Sequence, residues 1–226
     1  AAGWLIAAIL SYFVIPADFW PIEGWRVALL LTALPAIYAV YIRIKLPDSP
    51  QFAVKEVSKK RSVFQNIADV WSKEYAKSTF MMWVLWFAVV FSYYGMFLWL
   101  PSVMVGKGFD LISSFKYVLI MTLAQLPGYF TAAWFIEKFG RKFVLVTYLI
   151  GTAASALVFG NAETVGVLLA SGMLLSFFNL GAWGALYAYT PEQYPAVIRG
   201  TGAGMAAAVG RIGGVFGPLL VGSLLG

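Results

Sequence analysis

The sequence predicts an all-α integral membrane protein folded as a helical bundle. Of its 226 residues, 61% are hydrophobic and only 12% are charged, and the mean hydropathy is +0.81. A water-soluble domain of this length cannot keep that much apolar surface away from solvent, whereas a lipid bilayer removes the problem. The apolar residues also form long runs with few charges, which is the pattern of membrane-spanning helices.

Seven apolar runs are candidate spans, because a helix needs about 20 mostly apolar residues to cross a bilayer. They cover residues 3–15, 27–42, 80–106, 117–136, 143–162, 164–191 and 200–226. The first run is short and is already apolar at Ala1, and the last run is still apolar at Gly226. We therefore expect the chain to be cut at both ends.

The basic residues indicate which loops face the cytoplasm. Most of them follow the second, fourth and sixth runs: Arg43, Lys45, Lys55, Lys59, Lys60, Arg61, Lys73, Lys77, Lys138, Arg141, Lys142 and Arg199. The other connections hold only Arg26, Lys107 and Lys116. By the positive-inside rule, loops 45–78, 137–142 and 191–200 are cytoplasmic. This distribution explains the net charge of +6 without a nucleic-acid partner.

The longest of these loops contains a helical pattern. Its apolar side chains recur at helical spacing: Val63, Ile67, Val70, Trp71 and Tyr75. The pattern predicts an amphipathic helix on the membrane face or beneath the bundle. This segment can be a plain linker between the two halves or can take part in gating, and the sequence favours neither.

The chain lacks the side chains of most enzymes and metal sites. It contains no cysteine and no histidine, and no Asp or Glu lies within an apolar run. Disulfides, Cys/His zinc sites and histidine-dependent nucleophilic catalysis are therefore excluded within this chain. We expect no enzymatic activity, no metal and no cofactor.

Four short motifs lie at the ends of the runs or within them, in a fixed order. They cover residues 46–50 (LPDSP), 136–142 (IEKFGRK), 189–202 (YTPEQYP followed by IRGTG) and 210–214 (GRIGG). This set resembles the sugar-porter and organic-ion branch of the major facilitator superfamily. Asp48 stands where that family usually has Glu, and Glu137 stands where it usually has Asp. Both positions keep a carboxylate.

The resemblance implies a secondary transporter of twelve helices that works by alternating access between two halves. The seven runs then match the fifth to eleventh helices. Residues 1–44 would end the N-terminal half, 45–78 would form the cytoplasmic loop, and 79–226 would form the C-terminal bundle without its last helix. The implied partners are a small-molecule substrate, the bilayer of the bacterial inner membrane and the missing N-terminal helices of the same protein. The complete protein is expected to be a monomer.

A finer resemblance is to bacterial niacin transporters, carried by residues 91–101, 123–129 and 179–184. It implies transport of a small organic anion such as nicotinate, coupled to protons. Proton coupling usually needs a titratable group within the membrane. No carboxylate lies in these runs, so it would lie in the missing helices.

The family motifs also imply a cytoplasmic gate. Its candidate residues are Asp48, Glu137, Gly140, Arg141, Lys142, Glu192 and Arg199. Opposite charges at neighbouring helix ends can pair in one state and separate in the other. Arg141 or Lys142 with Glu192 is one expected pair, and Arg199 with Glu137 is another. Simple anchoring at the membrane interface is the alternative.

Arg211 is the only charged residue in the last run. An unpaired arginine at mid-membrane costs about 3 kcal/mol on insertion scales, so its guanidinium should face the bundle interior or a wet cavity. A carboxylate of the missing half, a backbone carbonyl and an anionic substrate are possible partners. In related organic-ion transporters this site tends to be Arg in anion carriers, which favours the substrate.

Aromatic and amide side chains near mid-span complete a candidate substrate pocket. They are Tyr93, Tyr94, Trp99, Gln125, Phe178, Asn179, Trp183 and Tyr187. Asn179 and Trp183 are four residues apart and share a helix face. Aromatic walls, one amide and one arginine suit nicotinate through ring stacking, a hydrogen bond and a paired carboxylate.

Other functions fit the composition less well. A transporter of a sugar, an organic cation or an aromatic compound on the same fold is the main alternative. A seven-helix receptor or sensor rests on the helix count alone. An intramembrane enzyme lacks reactive side chains, and a binding-only relative would have lost transport.

Overall fold

A computed structural model describes residues 2–19, 22–45, 62–106, 108 and 110–225, and these are almost entirely helical. The helices are α1 (Ala2–Ile9, extended by a π-helical turn at Leu10–Val14), α2 (Gly24–Leu31), α3 (Leu34–Lys45), α4 (Val63–Val70), α5 (Ala76–Phe97), α6 (Leu100–Gly106), α7 (Leu111–Leu123), α8 (Gln125–Phe139), α9 (Arg141–Gly160), α10 (Val165–Tyr189) and α11 (Arg199–Leu225). A 3₁₀ turn, Thr190–Gln193, follows α10, and Asp18–Phe19 pairs antiparallel with Ile22–Glu23.

Six helical stretches of the described chain are long and apolar enough to cross a membrane. They are Gly24–Lys45, Ala76–Phe97, Ser113–Phe139, Arg141–Gly160, Val165–Gln193 and Arg199–Leu224. The predicted first span corresponds to the shorter apolar helix Leu5–Val14. The predicted all-α membrane fold is confirmed, with six full-length spans in the described residues and a seventh apolar helix too short to cross alone.

Prolines divide three of the predicted spans. The run 27–42 forms α2 and α3, which separate shortly before Pro35, and the run 80–106 forms α5 and α6, which separate just before Pro101. Helices α7 and α8 separate shortly before Pro127. Proline has no backbone N–H to bond the carbonyl four residues earlier, but it is tolerated in a first helical turn. Each proline accordingly lies in the first turn of the helix that follows the break, which places Gln125 at the start of α8.

Helix α10 is the centre of the bundle. It packs against α9 and α8 and, over a smaller area, against α7 and α5, and half of its apolar span is buried. The π-helical turn and α1 pack on α7 at the edge. A helix buried on most sides carries apolar residues all round, as the α10 sequence does.

Helices α5 and α11 pack closely along an extensive contact, because glycines of α11 face the α5 backbone. A Cβ atom added to Gly213 would lie 2.5 Å from the Phe87 carbonyl oxygen, and one added to Gly217 would lie 2.5 Å from that of Phe91. Small residues let membrane helices approach to backbone contact. This contact fixes the position of α11, and therefore of Arg211, relative to α5.

The helix of the long loop is shorter than predicted. Helix α4 ends at Val70, so Trp71 and Tyr75 lie beyond it. The Val70 carbonyl accepts a hydrogen bond from the Thr79 hydroxyl (2.9 Å), which in turn accepts one from the Tyr194 hydroxyl (3.2 Å). Val70 is fully buried against Tyr194 and Ile198. The chain turns here because this contact holds the end of α4 against the start of α5.

A buried hydrogen bond ties α5 to the end of α10. The Trp86 indole N–H donates to the Thr190 hydroxyl (2.9 Å), which donates to the Leu186 carbonyl (2.7 Å). We expect Thr190→Val to lower the free energy of unfolding by about 1–3 kcal/mol, because the buried indole N–H loses its acceptor.

Thermal unfolding in detergent can measure this coupling. Trp86→Phe with Thr190→Val should lose less stability than the sum of the two single changes, because the double variant leaves no unpaired donor. Strict additivity would show that the bond contributes nothing to stability.

Candidate functional site

Arg211 lies near the middle of the 27-residue α11 and is exposed on the described bundle. Its Nη1 donates to the Tyr94 hydroxyl at 3.4 Å, which is long for a hydrogen bond. The ion pairs among the described residues are Glu23–Arg26 and Arg141–Glu192, and neither includes Arg211. Its guanidinium therefore keeps most of its donors available for an acceptor outside the described residues.

Four aromatic rings of α5 and α10 pack next to Arg211. The Tyr93 ring lies 5.4 Å from Tyr94 and 4.9 Å from Trp183, measured between centroids. Trp183 lies 6.4 Å from both Tyr94 and Tyr187. The structure thus brings together five predicted site residues in one continuous group, from the cation of Arg211 to the half-exposed ring of Tyr187.

Two buried amides lie beside this aromatic group. Gln125 and Asn179 are each 1% exposed. The Asn179 Nδ2 atom is 3.5 Å from the Ser92 hydroxyl, and the Tyr93 hydroxyl interacts with Gln125. Among the described residues, neither polar atom of the Gln125 amide, nor Oδ1 of Asn179, has a hydrogen-bond partner of normal geometry. Such groups cost about 1–3 kcal/mol each if left unsatisfied, so they favour a polar occupant or water.

Two other predicted pocket residues have different surroundings. Phe178 packs on Tyr148 and Phe177 and lies against Gly151 of α9, away from the Arg211 group. Trp99 donates its indole N–H to the Pro218 carbonyl (2.8 Å) and contacts Gly222. This hydrogen bond holds the start of α6 against α11.

Tyr129 belongs to the site but was not among the predicted residues. It is half-buried in α8, faces Gly184 and interacts with Tyr187. The signal was present in the sequence, because Gly184 directly follows Trp183 and leaves room for a ring from the neighbouring helix. Without the helix pairing, nothing singled out Tyr129 as that ring.

A cavity of about 470 Å³ opens between α8 and α10. Its lining residues are Tyr129, Ala132, Ala133, Ile136, Glu137, Arg141, Gly184, Tyr187 and Ala188. This volume lies within the range of small-molecule sites, which are mostly apolar with a few polar groups. Tyr187 belongs both to this cavity and to the aromatic group beside Arg211.

Two of the predicted gate residues form an ion pair with each other. Arg141 pairs with Glu192, and the two side chains are 42% and 44% exposed. Gly140 joins α8 to α9 with φ of 83°, a conformation that favours glycine, and so places Arg141 at the start of α9. The first expected pair is therefore present, although an ion pair this exposed contributes little to stability.

The remaining gate residues do not join this pair. Arg199 donates from Nε to the Tyr194 carbonyl at 3.3 Å, and the predicted Arg199–Glu137 pair is absent from the described residues. The Arg199 side chain thus bonds a backbone carbonyl five residues earlier rather than the Glu137 carboxylate. Lys142 lines a neighbouring groove with Phe139 and Phe143, which Arg141 also lines. Asp48 lies outside the described residues.

Comparisons with known proteins agree with this fold. The family model described as Major Facilitator Superfamily matches residues 117–226. The crystal structure of a D-xylose-proton symporter matches with a TM-score of 0.65 at 19% identity, covering 95% of this chain and 51% of that one.

Two curated bacterial relatives match nearly the whole chain. "Putative niacin/nicotinamide transporter NiaP" of Bacillus subtilis is 64% identical over 224 residues, covering 99% of this chain and 54% of the relative. "Niacin transporter NiaP" of Acinetobacter baylyi is 46% identical, covering 97% of this chain and 55% of the relative. Both names describe transporters rather than enzymes, and this chain spans about half the length of each. The chain is therefore a multi-pass membrane protein with the fold of the major facilitator superfamily, and it resembles bacterial niacin transporters.

Proposed function

We propose that the protein to which this chain belongs is a secondary transporter of small aromatic carboxylates, with nicotinate as a substrate and Arg211 as the group that binds its carboxylate. The observation that carries the proposal is the Arg211 guanidinium, at mid-helix beside an aromatic group and without a carboxylate partner among the described residues. The names of the two bacterial relatives support the same substrate.

The chemistry of the site suits such a ligand. The planar fork of a guanidinium binds both oxygens of a carboxylate, and the faces of Tyr94 and Trp183 can pack against a flat ring. A positive group at mid-membrane favours an anion over a cation or a sugar, because an unpaired arginine is costly there. Alternating access would then carry the anion between the two halves.

Transport assays on the full-length protein in proteoliposomes test this proposal. Labelled nicotinate should accumulate, and unlabelled nicotinate and benzoate should compete for uptake. Tetraethylammonium and xylose should not compete. Failure of labelled nicotinate to accumulate, or inhibition of its uptake by tetraethylammonium or xylose but not by benzoate, would overturn the substrate class.

Proton coupling is a separate part of the proposal. A protonophore should abolish accumulation of nicotinate above the external concentration. Accumulation that persists with the protonophore would remove proton coupling and leave the substrate assignment intact. The carboxylate that carries the proton would lie outside this chain, since no Asp or Glu lies within its apolar runs.

A further inference from the structure

The cavity between α8 and α10 has an aromatic end and a charged end. Tyr129 and Tyr187 lie toward the Arg211 group, and Glu137 and Arg141 lie at the end next to the α8–α9 connection. A tyrosine pair and an arginine provide the two features that an aromatic carboxylate needs: ring contact and an ion pair.

Arg141 has two roles in this arrangement. It lines the cavity, and it also pairs with Glu192 of the turn between α10 and α11. Both side chains of that pair are more than two-fifths exposed, so an incoming anion can reach the guanidinium. An anion in the cavity could therefore bind Arg141, the residue whose ion pair with Glu192 holds the α8–α9 connection against the α10–α11 connection.

We propose that this cavity is a second, cytoplasmic-side binding site for the substrate, in which the carboxylate of the ligand replaces Glu192 as the partner of Arg141. The proposal rests on the proposed function, because it takes the same class of ligand. In that case the substrate breaks the Arg141–Glu192 ion pair as it passes, because the Arg141 guanidinium exchanges the Glu192 carboxylate for that of the ligand. The α8–α9 and α10–α11 connections can then separate.

The surrounding charges make this a weak site. Glu192 pairs with Arg141, Glu137 lines the same cavity as Arg141, and Lys138 and Lys142 lie beside the α8–α9 connection. The Lys138 ammonium lies 5.2 Å from the Trp134 ring centroid, and Lys142 lines a neighbouring groove that Arg141 also lines. Glu137 is the carboxylate within the cavity, so its charge opposes an entering anion. Neutralising Glu137 should therefore strengthen binding.

Binding stoichiometry on the purified full-length protein in nanodiscs tests the inference, with nicotinate as the probe. Calorimetry of the unmodified protein should resolve a tighter site and a weaker one. Arg141→Gln should remove the weaker site and leave the affinity of the tighter site unchanged. Glu137→Gln should tighten the weaker site by about three- to tenfold, because a nearby like charge is removed. Lys116→Gln, which removes an exposed cation of α7, is the control and should leave both sites intact.

A second pair of variants guards against misfolding of Arg141→Gln. Ala133→Trp should fill the cavity while Arg141 keeps Glu192, and so should also remove the weaker site. Ala154→Trp places the same bulk in a cavity of similar volume between α9 and α10, and should change neither site.

The outcomes separate the two proposals. One nicotinate site that is indifferent to Arg141→Gln and Ala133→Trp would overturn the second site and leave the transport function standing. Absence of any nicotinate binding to the unmodified protein would overturn both.

Discussion

Replacing Arg211 by alanine will reduce nicotinate uptake by about 30-fold to several thousand-fold, while the protein still reaches the membrane. Removing one partner of a desolvated ion pair costs about 2–5 kcal/mol, and each 1.4 kcal/mol is a factor of ten. Arg211→Lys keeps the charge but loses the planar fork, so we expect a higher KM with residual transport. The measurement is initial-rate uptake of labelled nicotinate in proteoliposomes.

The control variants isolate the guanidinium. Lys116→Ala removes an exposed cation of α7 and should leave uptake unchanged. Tyr94→Phe removes a hydroxyl that lies 3.4 Å from Arg211, and its effect should stay below about threefold because so long a bond contributes little. Normal uptake by Arg211→Ala would refute the proposed role. If Arg211→Ala lowers the yield of folded protein, but the folded fraction binds nicotinate with unchanged affinity, then Arg211 pairs with a structural partner and not with the substrate.

Replacing Gly217 by valine will clearly destabilise the packing of α5 against α11. A Cβ atom at this position would lie 2.5 Å from the Phe91 carbonyl oxygen and 3.2 Å from the Gly95 nitrogen. Backbone atoms cannot move aside as a flexible side chain can, so α5 and α11 must separate. Overpacking of this kind costs about 1–3 kcal/mol, and we expect the upper end or beyond for a β-branched residue. Thermal unfolding of the purified protein measures the loss.

Gly160 provides the comparison for Gly217. It ends α9, and a Cβ there would meet nothing within 4 Å among the described residues. Gly160→Val should therefore change the melting temperature little, while Gly217→Val lowers it clearly and reduces the yield of folded protein. Equal effects of the two changes would mean that the α5–α11 contact does not limit stability.

The membrane fold and the family resemblance could be predicted because both depend on local sequence. An apolar run is itself the cause of membrane insertion, and it needs no knowledge of neighbouring helices. The motif at 136–142 is likewise recognisable along the chain alone, and Gly140 joins α8 to α9 there with a positive φ. Arg211 was singled out on the same basis, because a lone charge in an apolar run is costly whatever surrounds it.

The predicted pocket was less complete, and α10 shows why. Its sequence is apolar on every side, so no periodic pattern distinguishes the face toward α5 from the face toward α9. Phe178 and Trp183 were therefore equal candidates, although only Trp183 joins the aromatic group beside Arg211. Tyr129 was missed because its role depends on the pairing of α8 with α10.

Short segments are enough to predict that the protein folds in a bilayer, roughly where its spans lie and why Arg211 is unusual, because these properties follow from transfer free energies. The packing of the helices adds that Glu192 is the partner of Arg141, that Arg199 uses a backbone carbonyl, and that tyrosines of two helices share a cavity with Arg141. Those choices depend on which helices are neighbours and how each is rotated, and in a bilayer the apolar surface that would indicate rotation is present on every face.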